Sequence, residues 1–122
     1  MEERSIVVKG SVSDVRKQVI PKMYVTTVQG EDGSIVEFDT HEELVTFNVG
    51  DRVEVVFSTR MPDYREGEDF LGRGTVVSLR EEAGRRSMLV SVGGLLFIYT
   101  APEGGDIPFM PTEKVFVKVA KL

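Results

Sequence analysis

The chain has 122 residues, 41% of them hydrophobic and 29% charged, with 20 acidic against 15 basic side chains and a net charge of −5. That length suits a single domain, here residues 1–122, with a core of its own, and no apolar run approaches the roughly eighteen residues that cross a bilayer. Cysteine is absent, which excludes disulfides, thiolate metal sites and a thiol nucleophile, and the acidic balance argues against gripping nucleic acid by bulk phosphate neutralisation.

In chain order, the start MEERSIVVKG has neither a basic n-region nor an apolar h-region, so a cytoplasmic location is expected. Residues 4–13 alternate, with Ile6, Val8, Gly10 and Val12 on one face and Lys9, Ser11 and Ser13 on the other, which predicts a half-buried strand. Pro21 and Lys22 punctuate, residues 23–29 form a second Val- and Thr-rich strand, and GEDG at 30–33 supplies the turn into a third over 34–39. For DTHEELVTFN at 39–48 two alternatives stand: a single helical turn capped by Thr40 through Glu43, or a loop into a short strand. Residues 52–59 place Val53, Val55 and Phe57 on one face, Glu54 and Ser58 on the other, with Val56 the exception. MPDYREGED at 61–69 reads as a solvated loop.

A strand over 70–79 follows, with Gly72 and Gly74 on one face where the missing side chains permit bending or close backbone approach. EEAGR at 81–85 reads as a hairpin loop, and residues 87–92 alternate again. The next stretch, GGLLFIYT, is apolar on both sides: Leu95 and Phe97 share one face of a strand, Leu96 and Ile98 the other. Two covers for the second face compete. Either the segment 101–112, with Ile107, Phe109 and Met110, folds back over it, or a partner protein does, with Gly93 and Gly94 offering bare backbone for close approach or strand addition. The terminal strand directs Val115, Val117 and Val119 inward. The sum is all-β: seven or eight short antiparallel strands and little helix, closing as one small barrel of the oligonucleotide/oligosaccharide-binding type.

No catalytic or metal site emerges. His41 is the only histidine, no serine sits in a nucleophile elbow, and the acidic loop Asp63, Glu66, Glu68 and Asp69 lacks calcium-loop spacing. The expectation is therefore no catalytic residue, no metal and no cofactor. Arg60, Arg65 and Arg73, near Tyr64 and Phe70, are the candidates for nucleic-acid contact, which would make the chain a free-standing single-strand-binding module.

Gly93-Gly94-Leu95-Leu96 after a strand, preceded by Met61-Pro62-Asp63-Tyr64 and by Asp69-Phe70-Leu71-Gly72-Arg73-Gly74, and followed by a Val-Phe-Val-Lys-Val terminal strand, resembles the eighth-subunit family of archaeal and eukaryotic DNA-directed RNA polymerases. The resemblance covers roughly residues 51–122 and the length resembles an archaeal member. It departs from eukaryotic members at Phe97, where they carry methionine, and in its shorter 61–69 loop. The resemblance implies a non-catalytic accessory subunit docked on the largest polymerase subunit near the pore and funnel, stabilising the assembly, with no small-molecule substrate and no membrane partner. It points to Gly93, Gly94, Leu95 and Leu96 for partner contact, and to Pro62, Tyr64, Phe70, Gly72 and Gly74 as secondary or architectural positions.

Overall fold

A computed structural model of the chain describes residues 3–44 and 46–122. Among the described residues eight strands are formed: β1 (Ser5–Lys17), β2 (Met23–Gly30), β3 (Ile35–His41), β4 (Arg52–Ser58), β5 (Phe70–Glu82), β6 (Arg85–Val92), β7 (Leu95–Thr100) and β8 (Lys114–Lys121). They close into one antiparallel barrel in the order β1-β2-β3-β7-β6-β5-β8-β4, so every strand has a neighbour on both sides. Among the described residues none is helical, and no helix is long and apolar enough to cross a membrane. The all-β barrel expected from the alternating pattern is what forms.

Period-two alternation fixes which side chains enter the barrel. Val53, Val55 and Phe57 of β4 and Val115, Val117 and Val119 of β8 are buried in it, as are Val8 and Val12 of β1. Beside the inward line of β1, a Cβ on Gly10 would stand 2.0 Å from the Gln29 carbonyl oxygen across the β1–β2 pair, so only glycine allows that approach. Bulges interrupt the register between Val12 and Asp14 and between Val76 and Ser78, adding the coil that a small closed sheet requires. At one end the interior is closed by aromatic rings. Phe38 stacks on Phe97 at 5.2 Å, Phe97 on Phe70 at 5.7 Å, and Phe47 meets Phe38 edge-on at 5.7 Å.

Several expectations are refined. Neither alternative for 39–48 describes it fully: β3 runs through Thr40 to His41 and a turn follows at 42–44, so Thr40 is a strand residue and not a helix cap, and among the described residues no further strand forms before β4. The β5–β6 loop is shorter than EEAGR. Glu82 pairs with Arg85, leaving only Ala83 and Gly84 in the turn, both at positive φ as a two-residue hairpin demands. Segment 101–112 is irregular as expected, but it does not cover the outer face of β7. Ile107 and Phe109 are buried within the barrel core, and Met110 is exposed. Two large apolar side chains already seated in the interior cannot also shield the outside.

Candidate functional site

The candidate site is the outer face of β6 and β7. Gly93 and Gly94 form the two-residue turn between those strands, at φ 54° and 89°, with Val92 paired to Leu95 across it. Both φ values lie where a side chain is strained, so the sequence Gly-Gly dictates this tight hairpin. The turn then sets the phase of β7. Leu95 turns toward the barrel end and packs against the core beside Phe97, whereas Leu96 and Ile98 point outward and remain 43% and 40% exposed. Register places Ser91 opposite Leu96, Leu89 opposite Ile98 and Ser87 opposite Thr100. The outward side chains from Ser87 to Ser91 and from Leu96 to Thr100 are therefore all uncharged, which no other pair of neighbouring strands in the barrel matches over that length.

The surroundings of this strip differ on its two sides. Toward β3 the carboxylates are engaged: Asp39 accepts the Leu96 amide at 2.9 Å and the Gln18 side-chain amide at 2.7 Å, and Glu37 lies 3.6 Å from Arg16. Toward β5, the bulge at Val77 leaves that residue half exposed, and a groove of about 320 Å³ opens whose lining includes Ser78, Arg80, Ser87, Leu89 and Ile98.

The secondary positions lie off the outer face of β6 and β7, in the interior or on the loop 61–69. Gly72 and Gly74 face inward from β5, where an added Cβ would meet Val92 at 2.5 and 2.7 Å, so both are architectural. Phe70 is half buried and stacked on Phe97. Pro62 lies in the loop that borders Val56 and Ser58 on the outer wall of β4, and Tyr64 is exposed in the same loop. That loop is solvated, as expected, except at its end. The Asp69 side chain is 1% exposed and accepts from the Arg65 amide at 2.8 Å and the Arg65 guanidinium at 2.9 Å. Burial pushes its carboxyl up, but hydrogen bonds and charge from Arg65, with Lys118 nearby, outweigh this and hold it below the ordinary carboxylate range.

The three arginines proposed for nucleic-acid contact do not form one platform. Arg65 also donates to the Lys121 carbonyl at 2.8 Å, near one end of β8. Arg73 lies over the Phe116 ring at 5.8 Å near the other end, about 17 Å away by strand spacing. Arg60 is 3.4 Å from Glu3. His41 accepts the Glu43 amide through Nδ1, and among the described residues no group of three or more metal-ligating side chains converges.

The family model for the G subunit of DNA-directed RNA polymerase matches residues 5–122. The chain belongs to this family. The match spans every strand of the barrel, beyond the 51–122 stretch that carries the sequence resemblance. No curated protein matches the chain. Among solved structures, the cytoplasmic molybdate-binding protein ModG with molybdate bound is similar at 16% identity over 94% of this chain and 89% of that one, with a TM-score of 0.37. A likeness of that size identifies neither the fold nor a ligand, so the barrel rests on the strand pairing itself.

The sequence marks the Gly-Gly-Leu-Leu run but not the neighbours that complete the strip. Leu89 and Ser91 are legible as the minority face of an alternating strand. Arg80 carries no signal of its own, since its place beside Ile98 follows from pairing between three strands.

Proposed function

We propose that this chain is a single-domain, non-catalytic subunit of a cytoplasmic RNA polymerase. It docks on the largest subunit, near the pore and funnel, through the outer face of β6 and β7, and so stabilises the assembly. Leu96 and Ile98 provide the apolar contact, Gly93 and Gly94 let the partner's backbone approach the hairpin, and Leu95 supports the turn from below. The observation that carries the reading is the exposure of Leu96 and Ile98 side by side on a strip that no described segment of the chain covers. Covering a branched aliphatic side chain fully contributes about 1.5 to 3 kcal/mol, so even the exposed fractions of two such residues give a partner a worthwhile contact.

Reconstitution tests it. Polymerase depleted of this subunit is mixed with the parent chain or with Leu96→Asp, and incorporation is followed by gel filtration. The expected result is loss of incorporation by Leu96→Asp while its thermal unfolding stays within about 2 °C of the parent, as surface substitutions do. Full incorporation of a folded Leu96→Asp chain would show that the face is not the docking site.

A further inference from the structure

Two cations beside the docking strip are not engaged by carboxylates. Among the described residues most Lys and Arg side chains lie within 4 Å of a carboxylate, Lys118 with Glu54, Arg86 with Asp106 and Arg52 with Glu31 among them. Arg80 and Lys114 are in none of these ion pairs. Arg80 lines the groove beside Ile98, with Glu82 at the same groove but, among the described residues, within 4 Å of no cation, and the Lys114 ammonium reaches from β8 to the Thr75 hydroxyl on β5 at 2.8 Å. In a chain of net charge −5, two uncommitted cations therefore stand along the β5 edge of an uncharged strip whose β3 edge is lined by carboxylates already engaged.

The register gives their spacing. Arg80 is opposite Ser87, and Thr75, with Lys114 over it, is opposite Ser91. Ser87 and Ser91 are four residues apart on β6, about 13 Å, and Leu89 lies midway with Ile98 beside it. Side chains at i, i+2 and i+4 of an extended chain fall on one face at the same intervals.

We propose that the occupant of this face is an extended polypeptide segment of the pattern acid-x-apolar-x-acid: its central apolar side chain enters the groove over Leu89 and Ile98, and its two carboxylates meet Arg80 and Lys114. This rests on the docking reading above and adds to it the chemistry of the partner. A nucleic-acid strand fits the site less well. Single strands are held by bases stacked on exposed aromatic rings, and no aromatic side chain faces outward among Ser87–Ser91, Leu96–Thr100 or the β5 residues opposite them. The Ser78 and Ser87 hydroxyls in the groove are compact donors suited to a close-lying carboxylate.

The test uses the full chain and polymerase depleted of it, with association measured by fluorescence anisotropy at 50 and 300 mM salt. Arg80→Glu combined with Lys114→Glu is expected to weaken association at least tenfold at 50 mM salt, the neutral pair Arg80→Gln with Lys114→Gln about threefold, and the parent's affinity to fall with salt more steeply than either. All are expected to keep the parent's circular dichroism. If Ile98→Lys abolishes association but the charge-reversed pair binds as the parent does, the docking face stands and the acidic partner is refuted. If Ile98→Lys also binds normally, the docking reading itself falls. A twenty-nucleotide oligothymidine probe separates the remaining source of negative charge: binding of it by the parent chain at 50 mM salt, lost in the charge-reversed pair while polymerase association is retained, would assign these cations to nucleic acid and overturn the proposal.

Discussion

The outer wall of β4 and β8 and the outer wall of β6 and β7 are built from the same alternating strands, yet they solve the problem of their outward side chains in opposite ways. On the β4–β8 wall Val56 is 7% exposed and Ser58 3%. The half-buried pair Lys118–Glu54 sits beside Val56, the loop 61–69 borders it, and Arg65 ties that loop to Asp69 and to the Lys121 carbonyl. On the β6–β7 wall no described loop returns, no charge intervenes between Ser87 and Ser91, and Leu96 and Ile98 stay open. A side chain on the first wall belongs to the fold. One on the second is free to serve something outside it.

The same substitution on the two walls should therefore have opposite consequences. Val56→Lys places an ammonium in a closed site directly across from Lys118, which should cost about 3 kcal/mol and lower Tm by about 10 °C. Ile98→Lys should leave Tm within about 2 °C of the parent and abolish entry into polymerase. Calorimetry and gel filtration on the two variants check both halves, and a large fall in Tm for Ile98→Lys would erase the distinction.

A smaller effect is expected at the loop that closes the first wall. Asp69→Asn removes the carboxylate that holds Arg65 and should lower Tm by about 4 °C near neutral pH, the equivalent of about 1 kcal/mol. Because the Asp69 carboxyl titrates lower in the folded chain than in the unfolded one, its contribution is present above about pH 4 and is lost as pH falls through the folded value. The difference in Tm between parent and variant should shrink accordingly below pH 4, and a difference that is flat down to pH 2 would show that Asp69 is not the latch. Association with polymerase should be unaffected throughout.

An effect of similar size is expected at the hairpins. An added Cβ at Gly93 meets nothing within 4 Å, so Gly93→Ala should cost only the backbone strain of a positive φ, about 1 kcal/mol. Ala83 already bears such a φ of 51° at the matching position of the β5–β6 turn, and Ala83→Gly should return a similar amount. Urea unfolding of both variants reads the two shifts.

Much of this was written in the alternation of residues. Val53, Val55 and Phe57 could face only inward, and Leu95 and Leu96 could only part to opposite sides. Gly72 and Gly74 mark bending or close backbone approach, whereas Gly93 and Gly94 read only as bare backbone, and their tight turn appears with the β6–β7 register. What alternation could not show was partnership across distance. The irregular 101–112 segment gave no sign that Ile107 and Phe109 enter the barrel, because a loop has no period to read. Asp69 looked like one more acid in a solvated run, and its burial depends on Arg65 four residues earlier folding back over it. Arg80 and Lys114 are 34 positions apart in the chain and come to stand on the same side of the β6–β7 strip only through the β5–β8 and β5–β6 registers.

The absence of native cysteine allows the central claim to be tested site by site. Leu96→Cys on the β6–β7 wall and Val7→Cys, half exposed beside the β4–β8 wall, are each labelled with a maleimide in the free chain and in the assembled polymerase. The rate at position 96 is expected to fall at least tenfold on assembly while that at position 7 changes less than twofold. Equal labelling at position 96 in the free and assembled states would contradict the account.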